Sequence, residues 1–492
     1  MSLINISNLS FSYDGSYDII FDDVGFQIDT DWKLGFIGRN GRGKTTFLNL
    51  LMGRYEYSGS ISASVKFEYF PYPVKDKSLD TLDVMKSICA GCPEWKIIRE
   101  ILLLEVEEEA LCRPFNTLSN GEQTKVLLAS LFLNSGNFLL IDEPTNHLDL
   151  SARDTLKDYL NSKKGFILVS HDRKLLDGCV DHILSINKTN IEVQNGNFSS
   201  WWENKQQRDN FELAENKKLK GEIKRLSDSF KRSAGWSDKV EKTKYGSSNS
   251  GLKVDRGYVG AKSAKAMKRA KSIEKRKQKA VSQKSGLLHN IEEYDDLKIS
   301  PLPYFKSRLL EVKDLSVFYG ENEVFKNVGF TVDVGDRVAL TGSNGSGKTS
   351  ILKLILGQDI KHGGKVITGS RLVISYIPQD TSHLSGSLDD FIYRNGVDET
   401  LFKTILRKLD FSRDQFYKNL EDYSAGQKKK VLLAKSLSES AHLYVWDEPL
   451  NYIDVFSRIQ IERLIVEYSP TLLFVEHDDT FAENISTKEV RL

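Results

Sequence analysis

Residues 38–46, GRNGRGKTT, follow the short apolar segment WKLGFIG and decide how the first half of the chain folds. Gly38, Gly43, Lys44 and Thr45 fit the pattern G-x-x-x-x-G-K-[ST]. Glycines let backbone N–H groups face phosphate oxygens, a following helix presents its positive N-terminus, and the lysine reaches the β and γ oxygens. The segment therefore predicts a strand, a phosphate-binding loop and a helix, with Thr45 able to ligate Mg²⁺.

Further segments of the first half extend this prediction. The stretches NISNLSFSY and DIIFDDVGFQI, before the loop, alternate as strands do. NFLLIDEP is an apolar strand that ends in Asp142 and Glu143. The first carboxylate suits a Mg²⁺ shell, and the second suits orienting or deprotonating an attacking water. LSNGEQ at residues 118–123 precedes that strand, and ILVSHD places His171 at the end of another.

The same segments return in the second half, in the same order. Their chemically important residues are Gly342, Gly347, Lys348 and Thr349 in GSNGSGKTS, Gln379 in SYIPQ, Ser424 and Gly426 in YSAGQ, Asp447 and Glu448 in LYVWDEP, and His477 in FVEHD. The lysine and the strand-end aspartate are 98 residues apart in the first half and 99 in the second. Repetition at this fidelity predicts two similar α/β domains in one chain.

The charge is distributed unevenly. Residues 203–290 contain 24 Lys and Arg against 10 Asp and Glu, a net +14, although the whole chain carries only +1. Such a segment indicates an acidic partner such as RNA, DNA or an anionic membrane, and the alternative is a solvated charged helix pair. The chain has no run of 18 apolar residues and its start does not read as a secretory signal. Cys89 and Cys92 form a lone C-x-x-C, and we expect incidental, reduced cysteines.

The basic segment is predicted to form a helical hairpin. Leu219, Ile223, Leu226 and Phe230 recur at helical spacing, and a second periodic stretch begins near residue 261. The glycine- and serine-rich residues between them read as a loop. Each helix would have about 35 to 40 residues and be roughly 50 to 60 Å long. The residues that we expect at an RNA-contacting tip are Lys244, Tyr245, Arg256 and Tyr258.

Taken in order, the phosphate loop, L-S-x-G-[EQ]-Q, the apolar D-E-P strand and the S-H-D strand end resemble an ATP-binding-cassette domain. The fold class is then α/β, with two tandem cassettes joined by a long α-helical hairpin linker and no transmembrane segment. The expected domains are residues 1–198 for the first ATPase cassette, 199–302 for the linker with a tip near 243–261, and 303–492 for the second cassette.

The resemblance also implies two shared ATP sites, because cassettes of this family pair head to tail. We call site one the site of Lys44, completed by Ser424 and Gly426, and site two the site of Lys348, completed by Ser119 and Gly121. The implied ATP-binding residues are Tyr13, Gly38, Asn40, Gly41, Gly43, Lys44, Thr45, Thr46, Ser119, Gly121, Tyr319, Gly342, Asn344, Gly345, Gly347, Lys348, Thr349, Ser350, Gln379, Ser424 and Gly426.

Catalytic and metal roles follow from the same resemblance. The implied catalytic residues are Glu143 and Glu448, with His171 and His477 as switch histidines. The implied Mg²⁺ ligands are Thr45, Asp142, Thr349, Gln379 and Asp447. Asp149 and Asp454 would belong to interface loops, and Tyr13 equally suits local packing. Tyr72 stands where the family has the glutamine that Gln379 supplies in the second half, which puts metal or γ-phosphate sensing at site one in question.

Tandem cassettes with a long charged helical linker resemble the ABC-F group of translation factors, and within it the Lsa-type antibiotic-resistance proteins. That resemblance implies a cytoplasmic, ribosome-associated ATPase that uses ATP and Mg²⁺ and is a monomer with paired cassettes. Its partners would be the 70S ribosome, through large-subunit rRNA at the E site and the peptidyl-transferase centre, and P-site tRNA, with no transmembrane partner. Its effect would be protection from lincosamide, pleuromutilin and streptogramin A antibiotics.

Three alternatives share the cassette motifs. The first is the ATPase subunit of a membrane exporter, which has no need of a long basic arm. The second is a housekeeping ABC-F factor that acts on stalled ribosomes without any drug. The third is a DNA-repair or chromosome ATPase, a class that carries much longer coiled coils or zinc modules.

Overall fold

The computed structural model describes residues 2–14, 19–134, 136–146, 148–187, 191–242, 297–320 and 322–492, together with Lys268 and Lys275. The chain divides into two compact units, of which one contains Met1–Trp201 and Tyr294–Leu492 and the other Trp202–Glu293.

The first half of the larger unit alternates strands and helices. Its strands are β1 (Leu3–Ser12), β2 (Ile19–Asp29), β3 (Lys33–Gly38), β4 (Ser58–Ser62), β5 (Lys66–Phe70), β6 (Asn137–Asp142), β7 (Phe166–Val169), β8 (His182–Ile186) and β9 (Ile191–Asn195). Its helices are α1 (Lys44–Leu51), α2 (Thr81–Ile88), α3 (Glu94–Leu103), α4 (Asn120–Phe132), α5 (Leu150–Asn161) and α6 (Arg173–Cys179).

Two sheets organise this first cassette. The larger has the order β5-β6-β7-β3-β8-β9, with parallel neighbours except for the antiparallel pair β8 and β9. The smaller has the antiparallel order β2-β1-β4. The carboxyl ends of β3, β6 and β7 meet at one edge, which is where open α/β sheets bind ligands. The phosphate loop follows the end of β3, Asp142 is the last residue of β6, and His171 is the second residue after β7.

Helix α1 lies within the core that joins the two sheets. Ile6 of β1, Phe36 of β3 and Phe47 of α1 belong to one buried cluster. Close packing explains the glycine in the middle of β3. A Cβ added at Gly35 would lie 2.9 Å from the Cδ1 atom of Ile183 on the neighbouring strand. The apolar run of WKLGFIG is therefore the run of a strand that is buried on both faces.

The second half repeats the architecture. Its strands are β10 (Arg308–Tyr319), β11 (Asn322–Asp333), β12 (Arg337–Thr341), β13 (His362–Thr368), β14 (Ile374–Ile377), β15 (Leu443–Asp447), β16 (Leu472–Val475) and β17 (Lys488–Arg491). Its helices are α8 (Lys348–Ile355), α9 (Leu388–Asn395), α10 (Glu399–Lys408), α11 (Ala425–Ser438), α12 (Val455–Tyr468) and α13 (Asp479–Ile485).

The sheets of the second cassette follow the strand order of the first, with five strands in the described larger sheet where the first has six. A parallel sheet has the order β14-β15-β16-β12-β17, and an antiparallel one has the order β11-β10-β13. Buried side chains of β10, β12 and α8 form one core, and those of α10, α11 and α12 pack on the other face of the parallel sheet. The prediction of two tandem α/β cassettes is confirmed.

Helix α7 (Phe198–Lys242) has 45 residues and would measure about 67 Å at 1.5 Å per residue. It begins earlier than the apolar stripe from Leu219 predicts. The side-chain oxygen of Asn197 accepts a hydrogen bond from the Ser200 N–H at 3.1 Å and caps the first turn. Phe198 and Trp201 are buried in that turn.

The predicted loop and second helix of the linker lie outside the described residues, apart from Lys268 and Lys275, which are helical. No helix in the described ranges combines the length and the apolar character that crossing a bilayer requires.

The carboxylate of Glu100 on α3 provides a test of the first cassette's packing. It is buried and accepts hydrogen bonds from Tyr159 Oη at 2.7 Å, from Arg99 Nη2 at 3.0 Å and from the ammonium group of Lys163. Burial alone would raise the pKa of Glu100, but these donors together hold that pKa below its usual value. The carboxylate therefore stabilises the fold above the pKa of the unfolded chain, and this contribution is lost as the pH falls through the lowered folded-state pKa.

We expect Glu100→Gln to reduce the free energy of unfolding at pH 7 by about 1 to 3 kcal/mol, because it leaves the partly buried Lys163 ammonium group without its charge partner. The difference from the unmodified protein should shrink below about pH 4, where the reference carboxyl group is protonated in the unfolded chain. Denaturant unfolding at both pH values measures it. Glu109→Gln, at an exposed position, is the control and should change little. A pH-independent loss would contradict the assignment.

Candidate active sites

The first phosphate loop is shaped by its own lysine. Lys44 is 8% exposed, and its ammonium group donates to Gly38 O at 2.6 Å, Arg39 O at 3.3 Å and Asn40 Oδ1 at 3.3 Å. The loop reaches α1 through Gly43, whose φ of 94° is in the left-handed region that favours glycine. A Cβ at Gly43 would also lie 2.6 Å from Ile20 Cγ2.

The second phosphate loop has the same construction. The Lys348 ammonium group donates to Gly342 O and Ser343 O, each at 2.8 Å. Gly347 has a φ of 94°, and a Cβ there would lie 2.7 Å from Phe325 Cδ1. Both loops thus present backbone N–H groups at the start of a helix, which is the arrangement that binds phosphate.

A threonine and an aspartate meet beside each loop. Thr45 Oγ1 donates to Asp142 Oδ2 at 3.0 Å, and Thr349 Oγ1 donates to Asp447 Oδ1 at 3.4 Å. Burial raises the pKa of Asp142, and it raises the pKa of Asp447 to about 6. Within the described residues the buried Asp447 Oδ2 has no hydrogen-bond partner. A hard cation would satisfy that oxygen.

These donors fit Mg²⁺, which is held in nucleotide sites by one or two protein oxygens together with substrate phosphates. Among the described residues, no group of three or more His, Cys, Asp and Glu side chains could hold a metal ion by itself. A site that shares the ion with nucleotide phosphates does not need such a group. Thr45 and Asp142 would hold the ion at site one, and Thr349, Asp447 and Gln379 at site two. Bound there, Mg²⁺ would neutralise charge on the transferred phosphoryl group.

Both candidate catalytic glutamates have strained backbones. Glu143 has a φ of 50° and Glu448 a φ of 48°, values that are uncommon outside glycine and that cluster at functional sites. The Glu143 N–H donates to Val169 O and the Glu448 N–H to Val475 O, each at 2.9 Å. The neighbouring strand therefore holds each turn, so that the carboxylate follows directly on the metal-binding aspartate.

The candidate switch histidines lie against those glutamates. His477 Nε2 is hydrogen-bonded to Glu448 Oε1 at 3.3 Å, and the His171 Nε2 to Glu143 Oε1 distance is also 3.3 Å. Burial, with the charge of Asp142, raises the pKa of Glu143. Burial of Glu448 has the same tendency, but His477, the Gln379 amide and Lys429 outweigh it and lower the pKa of Glu448. Burial lowers the pKa of His171, so its imidazole is neutral.

The serines of the two signature segments begin helices. Ser119 caps α4 in a reciprocal arrangement with Glu122, and Ser424 caps α11 in the same way with Gln427. The N-terminus of each helix carries a partial positive charge that suits a γ-phosphate. The residue before the serine is Leu118 in the first signature and Tyr423 in the second, and both side chains are buried.

Each signature helix faces the phosphate loop of the other cassette. A cavity of about 580 Å³ at site one is lined by Lys44, Thr45, Glu143 and His171 together with Ser424 and Gly426. A cavity of about 790 Å³ at site two is lined by Lys348, Thr349, Gln379, Glu448 and His477 together with Ser119 and Gly121. The structure thus brings together the residues that the head-to-tail pairing predicts for each site.

Direct contacts cross between the cassettes at both sites. Asn40 Nδ2 donates to Tyr452 O at 2.8 Å, and Asp149 accepts a hydrogen bond from the backbone N–H of Asn344. A Cβ at Gly426 would lie 2.6 Å from Tyr452 O and 3.4 Å from Asn40 Nδ2. The glycine of the signature is therefore required by the close approach of the Tyr452 carbonyl of its own cassette, while Asn40 of the opposite cassette would only touch the added Cβ.

The two tyrosines expected at the adenine end have the same surroundings. Tyr13 is hydrogen-bonded to Thr46 at 2.8 Å and is 41% exposed, and Tyr319 is hydrogen-bonded to Ser350 at 2.9 Å and is 53% exposed. Each ring lines the cavity of its own site. Tyr13 also packs edge-on against Phe11. Its ring therefore lines the cavity and packs locally at the same time.

Charged side chains also join the cassettes beside the phosphate loops. Arg173 Nη2 lies 2.8 Å from Glu462 Oε2, and Lys174 Nζ lies 2.7 Å from Asp479 Oδ2. Arg153 Nη1 donates to His477 O at 2.8 Å and also contacts Asp172 at 3.2 Å. Arg153 therefore touches the histidine turns of both cassettes.

Sequence reasoning missed several residues near the sites. Arg42 of the first phosphate loop pairs with Asp410 of the second cassette, at 3.3 Å. Tyr69 Oη donates to Asp142 Oδ2 at 2.9 Å, and the Lys429 ammonium group contacts Asp447 O at 3.4 Å. The run of lysines at residues 428–430 was the one feature of the sequence that could have drawn attention to Lys429. The expected tip residues Lys244, Tyr245, Arg256 and Tyr258 lie outside the described residues.

Comparison with known proteins agrees with this geometry. The family described as "ABC transporter" matches residues 21–146 and 325–451, one match in each cassette. The chain belongs to this family, with two copies of the ATP-binding domain, and it is an ATPase.

Relatives cover nearly the whole chain. The ribosome protection protein VmlR of Bacillus subtilis (strain 168) is 28% identical over 99% of this chain and 86% of its own length. The ABC transporter F family member 2 of Arabidopsis thaliana is 26% identical over 99% of this chain and 76% of its own length. Archaeal aABCE1, solved in complex with a ribosomal stalk protein, has a TM-score of 0.64 at 18% identity, covering 98% of this chain and 87% of that chain, and shares the fold.

The roles of the two glutamates lead to a prediction. In the double variant Glu143→Gln, Glu448→Gln, we expect phosphate release to fall by roughly 100-fold or more, because each site loses the group that activates water. Binding of ATP should remain, since the phosphate loops are intact. A matched variant, Lys44→Ala with Lys348→Ala, should lose ATP binding as well. Phosphate release and binding of labelled ATP measure the two properties, and unchanged hydrolysis in the glutamine variant would reject the assignment.

Proposed function

We propose that this ATPase binds the ribosomal E site, extends its interdomain linker toward the peptidyl-transferase centre, and protects the ribosome from lincosamide, pleuromutilin and streptogramin A antibiotics. The observation that carries the proposal is the similarity to a ribosome protection protein over 99% of the chain, which includes the linker. A cassette alone would give no such full-length match.

The linker supports the proposal physically. Helix α7 has 45 residues, and the segment at residues 203–290 carries a net charge of +14. Lysines and arginines neutralise phosphates and release counterions, which is the main source of affinity for nucleic acid. A long helix in a basic segment suits a partner made largely of RNA, and large-subunit rRNA and P-site tRNA are the partners that we propose.

The ATP sites supply a means of control. Each site takes residues from both cassettes, so bound ATP favours their pairing and hydrolysis removes the γ-phosphate contacts that hold it. We propose that the paired, ATP-bound protein is the form that occupies the ribosome, with Mg²⁺ at both sites, and that hydrolysis releases it. The protein then acts in the cytoplasm as a monomer.

A housekeeping role on stalled ribosomes is the second candidate. It is favoured by relatives whose names carry no protection function, such as the putative ATP-binding protein YdiF of Bacillus subtilis (strain 168), 26% identical over 100% of this chain and 80% of its own length. Drug protection and the housekeeping role both require ribosome binding, and they differ in whether bound antibiotic is displaced.

Sedimentation tests the proposal. We expect the Glu143→Gln, Glu448→Gln variant, added to a cell lysate with ATP, to migrate with 70S particles, because it binds ATP without releasing the γ-phosphate. The same variant with ADP is the control and should stay near the top of the gradient. Displacement of a labelled lincosamide from those ribosomes would support protection, and ribosome binding without displacement would favour the housekeeping role. Migration with membranes would support an exporter subunit instead.

Salt provides an independent prediction. Binding of the glutamine variant to purified ribosomes should weaken by roughly tenfold or more between 0.1 and 0.3 M KCl, because several phosphate contacts release counterions. Titration at fixed Mg²⁺ measures the slope of log K against log salt. ATP binding to the free protein, measured over the same range, controls for effects on the cassettes. A slope near zero would mean that the basic linker does not hold the complex together.

A further inference from the structure

The two ATP sites differ at matched positions, although their motifs repeat. We propose that they divide the work of the ATPase, so that site one retains its nucleotide and site two sets the rate of turnover. The proposal concerns hydrolysis by the free protein and does not depend on the ribosome as partner. Contacts at site one and contacts at site two support it separately.

At site one, an ion pair connects the phosphate loop to the opposite cassette. Arg42 Nη2 lies 3.3 Å from both carboxylate oxygens of Asp410, and Arg39 Nη1 lies 4.0 Å from Asp410 Oδ2. Both arginines belong to the first phosphate loop, and Asp410 is the second residue after α10 of the second cassette. The Arg42 and Asp410 side chains are each 25% exposed, so water screens the interaction only in part. Opening site one requires these charges to separate.

Site two has a different set of residues at the same places. Ser343 and Ser346 stand where the first loop has Arg39 and Arg42, five and two residues before the lysine. Glu105 is the second residue after α3, as Asp410 is after α10, and both have a positive φ. Glu105 accepts a hydrogen bond from Thr155 of its own cassette at 2.9 Å. The ion pair across site one thus has no counterpart among these residues at site two.

Site two instead has a buried lysine next to the end of the strand that leads to its candidate catalytic glutamate. Lys429 is 2% exposed, and its ammonium group donates to Pro378 O at 3.0 Å and Asp447 O at 3.4 Å. The pairing of β14 with β15 ends at Ile377 and Trp446, one residue earlier on each strand. Proline has no N–H with which to continue a ladder. Lys429 therefore ties together the two strand ends that lead to Gln379 and to Glu448.

Site one lacks this arrangement. Thr124 stands where Lys429 does, five residues after the signature serine, and Tyr72 stands where Gln379 does. Tyr69 Oη donates to Asp142 Oδ2, the same oxygen that Thr45 contacts. At site two Thr349 contacts Asp447 through Oδ1, the other oxygen, Oδ2, has no partner among the described residues, and no hydrogen bond joins Asp447 to Tyr376, the counterpart of Tyr69. The strand-end aspartate thus accepts a tyrosine hydrogen bond at site one that its counterpart at site two does not accept.

Together these contacts give each site its own task. A retained nucleotide at site one keeps the cassettes paired while site two passes through repeated cycles. Lys429 is then a positioning residue of site two, because it acts through the strand ends that carry Gln379 and Glu448 and does not itself line the cavity.

The rate of each site can be measured separately. Glu143→Gln leaves turnover to site two, and Glu448→Gln leaves it to site one. We expect phosphate release by Glu143→Gln to be at least roughly tenfold faster than by Glu448→Gln, a difference of about 1.4 kcal/mol in activation free energy. Equal rates, or a faster Glu448→Gln variant, would overturn the proposal.

The role of Lys429 is tested in the Glu143→Gln background. Lys429→Met keeps the length of the side chain and removes its charge and hydrogen bonds. We expect kcat to fall by roughly tenfold or more while the KM for ATP changes little, because the phosphate loop is untouched. Thr124→Val in the Glu448→Gln background is the matched control and should leave kcat within about twofold. Circular dichroism and thermal unfolding show that each variant is folded, and an unchanged kcat for a folded Lys429→Met variant would reject the role.

Nucleotide release tests whether the ion pair across site one slows the opening of that site. With labelled ATP on the double glutamine variant, we expect two phases, of which the slower accounts for one nucleotide per chain. Adding Asp410→Asn should accelerate the slow phase by roughly fivefold, as expected for loss of a partly buried ion pair. Adding Glu105→Gln, at the matched position, should leave both phases unchanged. A single phase in the parent, or equal effects of the two substitutions, would overturn the proposal.

Discussion

A lysine ammonium group held inside its own loop is the contact on which both active sites depend. Lys44 and Lys348 are less than one tenth exposed, and the carbonyl oxygens of the loop surround their charges. Burial lowers the pKa of both lysines, because a charge removed from water is costly. Phosphate groups in the loop would restore the missing negative charge. The site is therefore shaped before the nucleotide arrives, and binding relieves an electrostatic cost already present in the fold.

The rest of each site is assembled around that loop by the ends of neighbouring parallel strands. The aspartate, the glutamate and the histidine all follow strand ends at one edge of the sheet, and the glutamate turns through a strained backbone to reach the cavity. The missing wall of each cavity comes from the other cassette. Hydrolysis is thus coupled to the pairing of the cassettes, because neither half of the chain contains a complete site.

Much of each candidate site could be predicted from the sequence, because the motifs that form it are short. The phosphate loop, the D-E-P strand end and the signature serine are short segments whose chemistry depends on residues that are adjacent in the chain. Contacts between distant segments were not readable. Arg42 and Asp410 are 368 residues apart, and neither segment contains a pattern that predicts their contact. The early start of α7 was missed because its first turn is fixed by burial of Phe198 and Trp201, which helical periodicity does not reveal.

The charges that join the cassettes also determine which halves can associate. Arg173 of the first cassette meets Glu462 of the second, and the residues at the matched positions are Asp479 and Lys157, with each sign reversed. Two copies of the first cassette would bring Arg173 against Lys157, and two copies of the second would bring Asp479 against Glu462. Like charges at such a contact disfavour association. The charges at these positions therefore disfavour pairing of two copies of the same half and favour pairing of the first cassette with the second.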